Sequence, residues 1–169
     1  MNRNQALQDQ AHALGLDPMA PLQIGGRYLP VARDGRCLCV SGQIPRVGTT
    51  VVVTGAAGRD VDLAQAQHAA RVCAWRALAL LKETLGDLDR IDSVLRMGVY
   101  VQSADDFTQH SEVADAASDL IHAVLGPSGG HARTTVGVYQ LPKNATVELE
   151  LMVAANDGMT ANGMDHSGD

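Results

Sequence analysis

Apolar positions recur along the chain with two different periods, and the switches between them divide it into elements. Ala6, Leu7, Ala11 and Leu14 stand at near-helical spacing ahead of Gly15, which predicts a short amphipathic helix over 2–15. Asp17-Pro18 and Pro21 then interrupt regular structure. Extended runs at 28–32 and 36–40 flank Asp34-Gly35, a dipeptide that readily takes the left-handed conformations a tight hairpin needs. Among Gly42, Gly48, Gly55 and Gly58, the run 49–54 reads as a short exposed strand.

The period then lengthens. Leu63, Ala66, Ala70, Cys73, Ala74, Ala77, Leu78, Leu81 and Leu85 follow a 3.6-residue repeat, so a helix is expected over 62–85 with Gly86 as its C-terminal cap. Its many alanines would let it lie close to a sheet. Over 94–103 the period returns to two, with Leu95, Met97, Val99 and Val101 on one face and Arg96, Gly98, Tyr100 and Gln102 on the other. A second helix is expected over 106–125, turning Val113, Ala117, Leu120, Ile121 and Val124 inward, and 126–130 is a Gly/Pro loop. Two more strands, 132–139 and 146–153, are joined across Leu141-Pro142-Lys143-Asn144. Beyond Ala155 periodicity is lost, and a disordered, dispensable tail over 156–169 is expected.

The order β-β-(β)-α-β-α-β-β gives an α+β fold: a two-layer sandwich whose two main helices cover one face of a mixed sheet. The reading divides the chain into an N-terminal helical extension (1–18), a core domain (19–155) and the tail. Alternation sends Val147, Leu149 and Leu151 toward the helices, and Glu148 and Glu150 to the open face. On the preceding strand Val136 and Val138 are expected to look inward, which puts Arg133, Thr135, Gly137 and Tyr139 on the open face. Such a face fits either a solvated surface or a polar interface with another subunit. Spacing does not separate the two.

Composition narrows the classes. At 169 residues with 46% hydrophobic content, the chain suits one domain with one core. A net charge of −6 without basic runs argues against a nucleic-acid partner. Met1-Asn2-Arg3-Asn4-Gln5 leads into no apolar signal core, and no stretch approaches the roughly 20 apolar residues of a membrane span. Three cysteines do not suggest a disulfide framework, so a cytoplasmic protein with reduced thiols is expected. Cys37 and Cys39 share a strand face, but no second ligand pair accompanies them, and no metal site is read. Ser41 lies outside a Gly-x-Ser-x-Gly elbow, and Gly55-Ala56-Ala57-Gly58 lacks the Lys-Ser/Thr of a phosphate loop.

Specific segments then point to a family. Val40-Ser41-Gly42-Gln43-Ile44-Pro45 resembles the SGQ-x-P signature of the Rid (reactive intermediate deaminase, YjgF-like) proteins. Ala132-Arg133-Thr134-Thr135-Val136-Gly137-Val138 resembles their ART-x-V-x-V segment. Leu141-Pro142-Lys143 and Val147-Glu148-Leu149-Glu150 follow at the family's spacing, and Tyr28 stands where members carry a tyrosine before the first hairpin. The similarity spans about Pro21 to Ala155. Leu85-Gly86-Asp87-Leu88-Asp89-Arg90, Ser118-Asp119-Leu120 and His131-Ala132-Arg133 resemble a longer subgroup with an extra N-terminal helix.

The resemblance implies a chorismate-mutase-like fold, a homotrimer with sheets packed into a central barrel, and clefts between subunits. It further implies cofactor-independent hydrolysis of enamines or imines of small carboxylic acids, of the 2-aminoacrylate type, to 2-oxo acids and ammonia. On this basis Arg133 would clamp the substrate carboxylate through two parallel hydrogen bonds. Glu148 would orient the attacking water or take its proton. Tyr28, Ser41, Gly42 and Thr135 would line the cleft, with Gly42 allowing close approach of the backbone. The match departs at Thr135, where many deaminating members carry cysteine. A non-catalytic trimer binding 2-oxo acids in the same cleft is the alternative, since both roles need Arg133.

Overall fold

The computed structural model describes residues 2–156, and the expected tail, apart from Asn156, lies outside them. Helix α1 (Arg3–Ala13) is capped by the Asn2 side chain, which accepts from the backbone N–H groups of Asn4 and Gln5. It buries Ala6, Leu7 and Ala11 in the common core. Trp75 fastens it by donating its indole N–H to the Leu7 carbonyl at 3.0 Å. Arg3 does the same from the far end, donating to the Ile91 carbonyl at 2.7 Å.

Five strands form the main sheet: β1 (Val31–Asp34), β2 (Cys37–Gln43), β5 (Ile91–Gln102), β6 (Ala132–Val138) and β7 (Val147–Ala155). Their spatial order is β1-β2-β7-β5-β6. All pairs are antiparallel except β5–β6, which runs parallel because helix α3 (His110–Leu125) carries the chain back between them. Helix α2 (Leu63–Leu85) begins on a reciprocal capping box between Asp62 and Gln65. It ends on Gly86, whose φ of 81° is left-handed. Both long helices pack on one face of the sheet, giving the expected two-layer α+β sandwich. The core is aliphatic and alanine-rich, with Ala66, Ala70, Cys73, Ala77, Leu78 and Leu81 of α2 fully buried.

Four local differences have physical causes. The first strand starts at Val31, because Tyr28 and Leu29 lie in an irregular segment tied to the hairpin. Strands β3 (Arg46–Val47) and β4 (Thr50–Val51) make a separate small ribbon in place of one strand over 49–54. Helix α3 starts at His110 instead of 106, since Phe107 folds back over Gly58 and stacks edge-on against His110. In β5, a register shift against β7 between Val94 and Arg96 buries Val94 and leaves Leu95 43% exposed, so Leu95 does not join Met97 in the core.

A larger correction concerns β6. In the parallel β5–β6 register Arg133 pairs with Met97 and Thr135 with Val99, and both β5 residues are fully buried under the helices. Arg133, Thr135 and Gly137 therefore face α3, whereas Val136 sits beside Tyr100 on the open face at 42% exposure. The inversion arises because α3 covers this edge strand with the polar Asp115 and Ser118. Tyr139 lies beyond the strand end and is exposed. On β7 the alternation holds as expected, with Val147, Leu149 and Leu151 inward. Gln102 also departs from the open face: it is buried, accepting from the Leu141 N–H at 2.9 Å and donating to Asn144 at 2.7 Å.

Candidate functional site

A cleft of about 360 Å³ opens at the end of β2, within the usual range for small-molecule sites. Tyr28, Ser41, Gly42 and Glu148 all line it, so four of the six residues singled out in the sequence come together. Between Val40 and Gln43 the β2–β7 register shifts, and this irregularity carries Ser41 and Gly42 across from β7. Gly42 leaves room for Glu148: a Cβ there would lie 2.1 Å from a Glu148 carboxylate oxygen, so that side chain would have to move. Ser41 is occupied structurally, since its hydroxyl donates to the Leu29 carbonyl at 2.7 Å and so holds the Tyr28 segment against the hairpin. Half-exposed Tyr28 forms one wall.

Glu148 is partly buried, and no cation lies within ion-pair distance of it among the described residues. Burial, then the neighbouring Glu150 charge, push its carboxyl above the ordinary range. Glu150 itself accepts from the Tyr100 hydroxyl at 3.0 Å. A carboxyl group held above its ordinary range in a cleft is a candidate proton acceptor and donor.

Arg133 and Thr135 are elsewhere in the same chain. Arg133 donates to Asp115 at 2.7 Å and to the Ser118 hydroxyl at 3.1 Å. Ser118 also meets the His131 ring at 3.1 Å, so His131 belongs to this cluster instead of standing free in its loop. The Thr135 hydroxyl is buried and has no hydrogen-bond partner among the described residues. β6 is the sheet edge, separated from β7 by β5, and Arg133 and Glu148 project from opposite faces.

Three cationic residues of the cleft have no role predicted from the sequence: Arg46, Arg76 and Lys143, the last within the Leu141-Pro142-Lys143 segment. Arg76 was detectable in principle, because a charged residue at that position interrupts the apolar face running through Cys73 and Leu80. Lys143, at the cleft wall, has a φ of 59°, an unfavourable conformation for a residue with a long side chain, and Asn144 beside it follows at 57°.

A two-layer α+β domain with a desolvated carboxyl group in a cleft defines a small-molecule-binding protein with acid–base potential. Comparison with known proteins gives the family. Residues 10–154 match the family model described as "YjgF/chorismate mutase-like, putative endoribonuclease", and the chain belongs to this YjgF family. Protein TCP17 of Trypanosoma cruzi is 39% identical over 145 residues, covering 85% of this chain and 91% of that one. A 2-iminobutanoate/2-iminopropanoate deaminase of Dermatophagoides farinae is 32% identical over 137 residues, covering 80% and 91%. Among solved structures, a protein of unknown function from Agrobacterium tumefaciens superposes with a TM-score of 0.81 at 39% identity, covering 91% of this chain and 95% of that one. The YjgF gene product of Escherichia coli shares the fold with a TM-score of 0.58 at 23% identity, covering 83% and 97%. No helix among the described residues is long and apolar enough to cross a membrane.

Proposed function

We propose that the chain hydrolyses enamines or imines of small carboxylic acids to 2-oxo acids and ammonia, in clefts completed between subunits of a homotrimer. The observation that carries this reading is Glu148: a carboxyl group held above its ordinary range by burial, pressed against Gly42. An enamine first gains a proton on its β-carbon and loses one from nitrogen, becoming the imine. The ionised form of Glu148 then accepts a proton from water while the water oxygen adds to the C=N carbon, and as the acid it returns that proton to nitrogen. Transfer of the hydroxyl proton to nitrogen lets the carbinolamine break its C–N bond, giving a carbonyl and ammonia. No external oxidant or reductant is needed for this exchange. The Dermatophagoides relative bears the name of such a deaminase.

Arg133 is the carboxylate clamp in this reading, supplied to the cleft of a neighbouring copy together with the unpartnered Thr135 hydroxyl. Support comes from the separation of the two half-sites in one chain and from the open sheet face, where Leu95, Val136 and Met152 are exposed apolar residues. A threonine retains a small hydroxyl where many deaminating members carry a thiol, so the reading uses that position for contact and not for nucleophilic attack.

The test is ammonia release from enamines generated in place from several amino acids, combined with light scattering of the same sample. Ammonia release above the spontaneous rate by a trimer is the expected result. A stable monomer at micromolar concentration would remove the shared cleft. A trimer that binds 2-oxo acids without accelerating ammonia release would leave only the binding role.

A further inference from the structure

The cleft carries more positive charge than the proposed reaction uses. Arg76 is only 4% exposed, yet its three hydrogen bonds all go to neutral acceptors: the Gln43 side chain at 3.3 Å, the Arg46 carbonyl at 3.0 Å and the Gln23 carbonyl at 2.9 Å. Neither Arg76 nor Arg46 has an acidic partner within ion-pair distance among the described residues. The Arg46 side chain packs beside Gly25, and its buried Nε has no hydrogen-bond partner among the described residues. Burial holds Arg76 below its ordinary range, and repulsion from the nearby Arg46 guanidinium adds to this.

Three cationic side chains, Arg46, Arg76 and Lys143, thus line a cleft containing one carboxyl group, in a protein whose net charge is −6. Buried charges without a partner are costly, and neutral acceptors compensate them only in part. An anion entering this end of the cleft would relieve that cost. A recessed site also focuses the field of such charges.

We propose that this end of the cleft, with Arg46 as the contacting residue and Arg76 as the positioning residue behind it, binds a second anionic group on the substrate. The preferred substrates are then imines of acidic amino acids, whose products are dicarboxylic 2-oxo acids. Arg76 acts through Arg46: it holds the Arg46 backbone carbonyl and the 23–25 segment, and it adds positive charge from beneath. This rests on the reading above, in which Arg133 of a neighbouring copy takes the carboxylate next to the imine carbon.

Binding of 2-oxoglutarate and 2-oxobutanoate to the full chain, measured by calorimetry, separates the two ideas. Wild type should prefer 2-oxoglutarate by about tenfold or more, the size expected for one charge-assisted contact. Arg46→Gln should bring that ratio close to one, and Arg46→Lys should keep part of it, with melting curves confirming that both variants fold. Arg133→Ala should weaken both acids together. Equal wild-type affinities overturn the second-anion site while leaving the Arg133 clamp standing if Arg133→Ala abolishes binding. An undiminished preference in Arg46→Gln also overturns it. Should Arg133→Ala leave both affinities unchanged while Arg46→Gln removes the preference, the anion site stands and the clamp falls. Binding of neither acid to wild type rejects both.

Discussion

At the β6 edge, Arg133 is held: Asp115 and Ser118 of α3 occupy one of its guanidinium nitrogens. In the cleft beside β2, Glu148, Arg46 and Arg76 lie close in one enclosure with no opposite charge at ion-pair distance among the described residues. The first region resembles a structural ion pair on a half-exposed surface, where each pair is worth at most about 1 kcal/mol. The second draws ionisable groups together, partly out of water, with no ion-pair partner among the described residues. Charge that is neutralised inside one chain stabilises the fold, whereas charge left unneutralised in a cleft is available to a ligand. The two half-sites therefore carry different expectations, although both were singled out by the same family pattern.

Substitution can break this contrast at its strongest point first. Glu148→Gln removes the proton acceptor at nearly constant volume, and turnover should fall by about 100-fold or more while 2-oxo-acid binding persists. Unchanged turnover in an ammonia-release assay would make Glu148 a bystander. Gly42→Ala should approach the same loss by a different route. The new methyl group would overlap the Glu148 carboxylate and drive it out of position, without touching the core. A melting temperature near that of wild type together with lost activity is the expected combination.

Arg133→Ala should lower catalytic efficiency by at least about tenfold, with Lys recovering only part, since it keeps the charge but not the fork. If Arg133 is only an interface or α3 contact, light scattering will show the assembly lost before activity is. The smallest effect is electrostatic. Glu150 helps hold Glu148 above its ordinary range, so Glu150→Gln should move the acidic limb of the pH–kcat/KM profile to lower pH. Stability should follow the same linkage. Between the ordinary carboxylate range and the raised value, folded Glu148 keeps a proton that the unfolded chain has shed, so its contribution declines as pH rises through that window. Urea titrations of wild type and Glu148→Gln across mildly acidic pH would show this slope only in wild type.

Much of the fold was legible because α2, β5 and β7 repeat their patterns over many residues, and one misplaced position cannot change the period. β6 was different. Alternation assigns Arg133 and Val136 to opposite faces but does not say which face is inner. Its apolar side chain favours an inner Val136, but the polar surface of α3 draws Arg133 to that side instead. The cleft was partly legible, since Gly42 and Glu148 sit in recognisable segments. Arg46 and Arg76 are separated by 30 positions and meet only when α2 packs beside the hairpin, a proximity that neither period encodes.

The indole of Trp75 has one further consequence. It is the only tryptophan in the chain, it is 5% exposed, and its N–H bonds the main chain of α1 at Leu7. Its emission therefore reports the docking of the N-terminal helix specifically. Release of α1 should shift the spectrum to longer wavelength while far-ultraviolet circular dichroism still records an intact α2 and α3. Fluorescence and circular dichroism melting curves that fail to superimpose would identify α1 as a separately detachable unit. Coincident curves would mean that the helix leaves only when the whole domain does.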